Sequence, residues 1–157
     1  MKRSSPALDI DDLPGHNIRR LHQISVGIFL NELTEHGLTP VQYAALQTVA
    51  NHPGIDQRTL ARTIALDAST TGGVVDRLET RGCLERRTSP EDRRSRQLEL
   101  TAAGVALLAE AVPGMLRAQE QILAPLSERQ RDEFMKLLRL LVHTNNAHSR
   151  APSEAIK

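Results

Sequence analysis

The chain has 157 residues, 39% hydrophobic and 25% charged, the balance of a single globular domain of ordinary size. Its longest apolar stretches, Gly104 to Ala109 and Leu137 to Val142, fall far short of the roughly 20 residues a spanning helix needs, no apolar signal core follows Met1 to Pro6, and one cysteine, Cys83, excludes an internal disulfide and suits a reducing compartment, so no membrane partner and a cytoplasmic location are expected. The net charge is only +1, yet Arg77, Arg81, Arg86, Arg87, Arg93, Arg94 and Arg96 crowd one segment while acidic residues are spread throughout, so the positive charge is local.

In chain order, Ile18, Leu21, Ile24, Ile28, Phe29 and Leu33 recur at three- and four-residue steps and predict an amphipathic helix from Leu13 to Leu33, closed by Gly37. Thr39-Pro40-Val41-Gln42 reads as an N-cap, a first-turn proline and a capping-box glutamine, opening a second helix to about Asn51. His52-Pro53-Gly54 is a turn, after which Asp56 can cap a short helix carrying Leu60, Ala61 and Ile64. Asp67 or Ser69 then caps a fourth helix with Val74, Val75 and Leu78 inward, ended by Gly82.

Past Gly82 the period changes. Cys83 to Arg87 and Arg96 to Leu100 both alternate apolar and polar residues about the turn-forming Ser89-Pro90-Glu91-Asp92, which predicts a basic β-hairpin. Thr101 caps a long helix with Val105, Leu108, Val112, Met115, Ile122 and Leu123 inward, expected to kink at Pro113-Gly114. Ser127 to Gln130 is a second capping box, opening a helix with Phe134, Leu137, Leu138, Leu141 and Val142. The tail from His148 is expected to fray.

Two short helices joined by a tight turn and followed by a basic hairpin form a physical plan for holding DNA: the fourth helix fits the major groove and the hairpin reaches the backbone or minor groove. Ser69, Thr70 and Thr71 offer hydroxyls to phosphates at a helix N-terminus. Gly72 and Gly73 each cost a helix about 1 kcal/mol relative to alanine, so either a close backbone approach to the duplex or packing of the fourth helix on the second must reward them. Arg77 follows on the same helix. At the hairpin tip Arg93, Arg94 and Arg96 suit minor-groove insertion, with Asp92 bracing the loop, unless the tip is simply a solvated turn.

Leu60-Ala61 with Ser69-Thr70-Thr71 and Val75 to Gly82 resembles the helix-turn-helix of the MarR family of regulators. Asp92-Arg93-Arg94 continuing to Leu98-Glu99-Leu100-Thr101-Ala102-Ala103-Gly104 is similar to that family's wing, and the resemblance runs from about Ile18 to Val142. It implies a mainly α chain with a small β-hairpin wing: one domain, 1–157, with a winged helix-turn-helix lobe at 39–100 and dimerisation helices at 13–36 and 101–147. It further implies a homodimer on a palindromic operator, Arg94 in the minor groove, and release by a small aromatic carboxylate held between the dimerisation helices and the DNA-binding lobe.

His16, Arg19, Arg20 and His22 on the first helix are the groups best suited to pair with such a carboxylate; as surface cations they could equally make intersubunit ion pairs. The segments Leu13 to Arg20 and Thr39 to Leu46 also resemble regulators of nicotinate and hydroxynicotinate breakdown. Cys83, just past a helix-ending glycine, reads as a core residue instead of a redox sensor. No metal or cofactor is expected: His143 and His148 are five residues apart, and no set of ligands completes a site. Two other functions compete. A winged helix used only for protein contacts would lack need of the arginine-rich wing, and an enzyme on an aromatic acid would need a nucleophile elbow, phosphate loop or metal pair that the sequence does not contain.

Overall fold

The computed structural model describes residues 8–89 and 96–156. Six α-helices and a three-stranded antiparallel sheet appear in the order α1 (Pro14–Glu32), α2 (Pro40–Asn51), β1 (Ile55–Asp56), α3 (Gln57–Thr63), α4 (Ala68–Thr80), β2 (Leu84–Thr88), β3 (Arg96–Leu100), α5 (Ala102–Leu123) and α6 (Glu128–Thr144). The mainly helical winged-helix architecture expected from the sequence is the one observed.

Local chemistry sets most boundaries. At α2, Thr39 accepts from the Gln42 N–H and the Gln42 side chain accepts from the Thr39 N–H, a complete capping box with Pro40 in the first turn. Ser127 and Gln130 repeat the device at α6. At α5, Thr101 accepts from the Gly104 N–H, and its own hydroxyl donates to the Gly82 carbonyl at 2.6 Å. The helix so capped runs directly over the end of α4: a Cβ on Gly104 would lie 1.9 Å from the Cys83 carbonyl oxygen. That close approach is the physical reason for a glycine three residues after the threonine. Helix α5 runs unbroken through Pro113-Gly114, where a Cβ on Gly114 would lie 2.8 Å from the Glu32 carbonyl at the end of α1.

The sheet has the order β1-β3-β2. Leu84 faces Leu100 and Thr88 faces Arg96 across the hairpin, while Ile55 pairs with Leu98 on the other edge of β3. Sequence periodicity gave no sign of β1. Two residues carry no pattern, and the strand exists because β3 passes beside it; the Gly54 N–H donates to Leu98 O at 3.0 Å from a backbone at φ +82°. The core fills the space between α2, α3, α4 and the sheet, with Leu46, Leu60, Val75, Leu78, Leu84 and Leu98 all inaccessible to solvent, and Phe29 and Leu33 seal it from the end of α1. Cys83 is buried in that core.

Two regions depart from this economy. Helix α1 lies along α5, yet Ile18, Leu21, Ile24 and Leu30 stay exposed, and α6 buries no residue at all, leaving Leu137, Leu138, Leu140, Leu141 and Val142 in solvent. The tail, expected to fray, does not: the Glu154 N–H donates to Arg62 O on α3 at 3.0 Å and Ile156 packs against the core. No helix among the described residues is long and apolar enough to cross a membrane.

Candidate nucleic-acid interface

Helix α4 begins at Asp67, and the choice between Asp67 and Ser69 as cap is settled in favour of the carboxylate. Its Oδ1 accepts from the Thr70 N–H at 2.8 Å and its Oδ2 accepts from the Thr70 hydroxyl at 2.6 Å. Hydrogen bonding to Thr70 holds the Asp67 carboxyl below its ordinary pKa, so it stays charged. A negative group therefore already occupies the helix N-terminus that the sequence suggested for phosphate, and the Thr70 hydroxyl is engaged in the cap. Ser69 remains exposed.

Thr71 is a correction. It is fully buried, its hydroxyl donating to Asp67 O at 2.9 Å, and it packs inward with Val74, Val75 and Leu78 instead of facing a duplex. With about 100° of rotation per residue, the ridge opposite that buried stripe is Ser69, Gly73, Asp76 and Thr80, flanked by Gly72 and Glu79 on one side and Thr70 and Arg77 on the other. A Cβ on Gly73 would meet nothing within 4 Å, and one on Gly72 would meet only the Gln57 amide at 3.5 Å. Packing of α4 on α2 accordingly requires neither glycine. Arg77 is exposed, with no ion-pair partner among the described residues.

Arg86, absent from the expected site, is its pivot. From β2 its Nε donates to Gln57 Oε1 at 3.2 Å, Nη2 to Asp76 Oδ1 at 2.6 Å and Nη1 to Glu79, while its backbone N–H donates to Glu79 Oε1 at 3.3 Å. One side chain joins α3, α4 and the base of the wing. Burial opposes its charge, but the bonds to Asp76 and Glu79 outweigh that and raise its pKa. The sequence signal was available in Asp76 and Glu79, one helical turn apart, with an arginine seven residues further on.

The apparent basic cluster is smaller than the count of arginines. Arg86 is spent on α4; Arg87 pairs with Glu85 and, at 2.9 Å, with Glu99; Arg81 donates to the carbonyls of His36 and Gly37. Among the described residues, the exposed Arg77 and Arg96 of this cluster pair with no carboxylate. Asp92, Arg93 and Arg94 lie outside the described residues.

On α1 the proposed effector groups are at the surface of the single chain. Arg19 bridges to His16 at 3.3 Å and to Gln23 at 3.1 Å, and His16 is 3.8 Å from Asp11. His16, Arg19 and Arg20 share one side of the helix by their three- and four-residue spacing, whereas His22, though three residues from Arg19, stands about 160° round the helix from Arg20. Nearer the other end of α1, Glu32 accepts from Arg117 at 2.7 Å and from Gln121, which clamps α1 to α5; the Arg117 bond holds the Glu32 carboxyl low.

A family model described as the MarR family matches residues 36–95, and the transcriptional regulator HosA of Escherichia coli O111:H- is 34% identical over 128 residues, covering 82% of this chain and 93% of HosA. The chain belongs to the MarR family. It is thus a DNA-binding transcriptional regulator and not an enzyme. A transcriptional regulatory protein for the hcr operon of Thauera aromatica is 39% identical over 108 residues, 69% of this chain and 65% of that protein. Among MarR-type structures, BpsR of Bordetella bronchiseptica, whose DNA binding is regulated by 6-hydroxynicotinic acid, superposes with a TM-score of 0.81 at 28% identity over 86% of this chain and 96% of BpsR. The repressor CouR, bound to a 23-mer DNA duplex, superposes with a TM-score of 0.80 at 29% identity over 87% and 99% of the two chains.

Proposed function

We propose that this MarR-family regulator is a cytoplasmic homodimeric repressor that grips a palindromic operator and lets go when a small aromatic or heteroaromatic carboxylate binds. The observation that carries the reading is the outward ridge of α4, where Ser69 and the flanking Arg77 are exposed and Gly73 is half-buried, beside a wing rooted on Arg86. Two such ridges, one per subunit, would enter successive major grooves about 34 Å apart. Gly72 and Gly73 would let the helix backbone approach base edges, and Ser69 and Arg77 would contact phosphates or bases. Arg93, Arg94 and Arg96 would line the adjacent minor groove with Asp92 as brace. Residues 39–100 form the DNA-binding lobe, while 13–36 and 101–147, whose apolar faces are exposed in one chain, form the dimer core.

The effector is placed near His16, Arg19, Arg20 and His22 because an arginine fork matches a carboxylate and histidine adds a hydrogen bond. BpsR, with its hydroxynicotinate, supports a heteroaromatic acid. Coupling of about 1–3 kcal/mol between the DNA-competent and released states is enough to weaken binding 5- to 150-fold.

Fluorescence anisotropy of the protein on duplex from its own upstream region, at several salt concentrations and with a panel of benzoates and nicotinates, tests this reading. Tight, salt-sensitive binding to one palindrome, reversed by one acid, is expected. Binding indifferent to salt, or to every acid in the panel, would overturn the operator reading or the effector reading respectively.

A further inference from the structure

The tail after α6 folds back across the molecule. Asn146, just past α6, clips Ser153: its amide donates to Ser153 O at 3.0 Å and its Oδ1 accepts from the Ser153 N–H at 2.9 Å. That clip aims the next residues at α3. There the Glu154 N–H donates to Arg62 O, its carboxylate takes the Arg62 guanidinium at 3.0 Å, and Ile156 lodges against the hydrophobic core. The Arg62 carbonyl, which already accepts from the Ala65 N–H at 3.3 Å, takes the Glu154 N–H as a second donor. The ion pair is exposed at both ends and adds little by itself. The backbone bond, the clip and the half-buried isoleucine hold the segment.

We infer that residues 149–156 are a strap tying the end of α6, on the proposed dimer side, to α3, which supports the recognition helix. The strap fixes the orientation of each DNA-binding lobe on the dimer, and with it the separation of the two α4 helices. Without it each lobe rocks on α1 and α5 alone, so the protein must order its lobes when it meets an operator, and affinity falls. The strap presents no group to DNA in this account, so it acts through geometry and leaves the number of phosphate contacts unchanged. The inference rests on the dimeric reading above for its effect on DNA, but its first consequence, a protected α3, does not.

Two variants that touch only the tail test it: Ile156→Asp, which expels the anchor, and Glu154→Pro, which removes the donated N–H. Full-length protein is compared by amide hydrogen exchange without DNA and by anisotropy on operator DNA across a salt series. Expected are faster exchange at Ile64 to Leu66, operator affinity reduced about 5-fold or more, and an unchanged slope of affinity against salt. Unchanged exchange at Ile64 to Leu66 in both variants would overturn the strap itself. Faster exchange with unaltered or tighter operator binding would overturn its role in positioning, and a changed salt slope would show that the tail touches DNA.

Discussion

A carboxylate at position 56 or 67 decides where a DNA-binding helix starts, and the two differ in what surrounds them. Burial works to raise the pKa of Asp56, but bonds from the Thr59 hydroxyl and from the Thr59 and Arg58 N–H groups prevail and lower it. A carboxylate whose folded pKa is depressed contributes stability that is complete above its unfolded value of about 3.9 and is lost as pH falls through the folded value. Urea unfolding should therefore show Asp56→Ala destabilised by about 1 kcal/mol at neutral pH. That deficit should begin to shrink as pH falls below about 4, where the carboxylate of the unfolded chain protonates first, and should be smallest below the lowered folded value. Arg77 carries no such structural duty. Its replacement by alanine should leave unfolding unchanged and flatten the slope of log affinity against log salt by about 1, the loss of one phosphate contact.

Elements meet here through single residues. Arg86→Gln would leave Asp76 and Glu79 uncompensated at the junction of α3, α4 and β2; the lost charged hydrogen bonds should cost about 2 kcal/mol in denaturant titration, whereas Arg87→Gln, at an exposed pair, should cost under about 1 kcal/mol. Gly104→Ala forces backbone against backbone where α5 crosses Cys83, so a loss of about 3 kcal/mol is expected, with no rotamer available to relieve it. These junctions also mark the limit of what the sequence tells. Caps such as Thr39 with Gln42 and Ser127 with Gln130 act within four residues, so their chemistry is written locally and could be read. Arg86 looked like one more member of a basic cluster because its partners lie 7 to 29 residues away. Thr71 looked like a surface hydroxyl because a threonine can return its proton to the preceding helical turn and be buried. The strand at Ile55–Asp56 and the contact of Glu154 with Arg62, 92 residues apart, have no local signature.

At the scale of the molecule, α6 is a 17-residue helix with no buried side chain, and a helix of that length is barely stable in water without a packed face. Its apolar residues, with Leu137 at 48% exposure and Leu141 at 54%, are left in solvent, as are those of α1, where Ile18 is 61% exposed. Scattered apolar residues on a surface need no explanation, but exposed apolar faces on two separate helices do. A second copy of the chain is the occupant that also gives the DNA-binding lobes their two-fold arrangement. If so, association adds to the stability of the folded chain, and the midpoint of thermal unfolding should rise with protein concentration. Leu137→Asp with Leu141→Asp should abolish that rise and give a monomer in sedimentation velocity. The same pair should remove operator binding while leaving the core around Leu46, Leu60 and Leu78 folded, because no residue of α6 takes part in that core. A wild-type midpoint independent of concentration, with a monomer at micromolar protein, would mean that the exposed face belongs to some other partner.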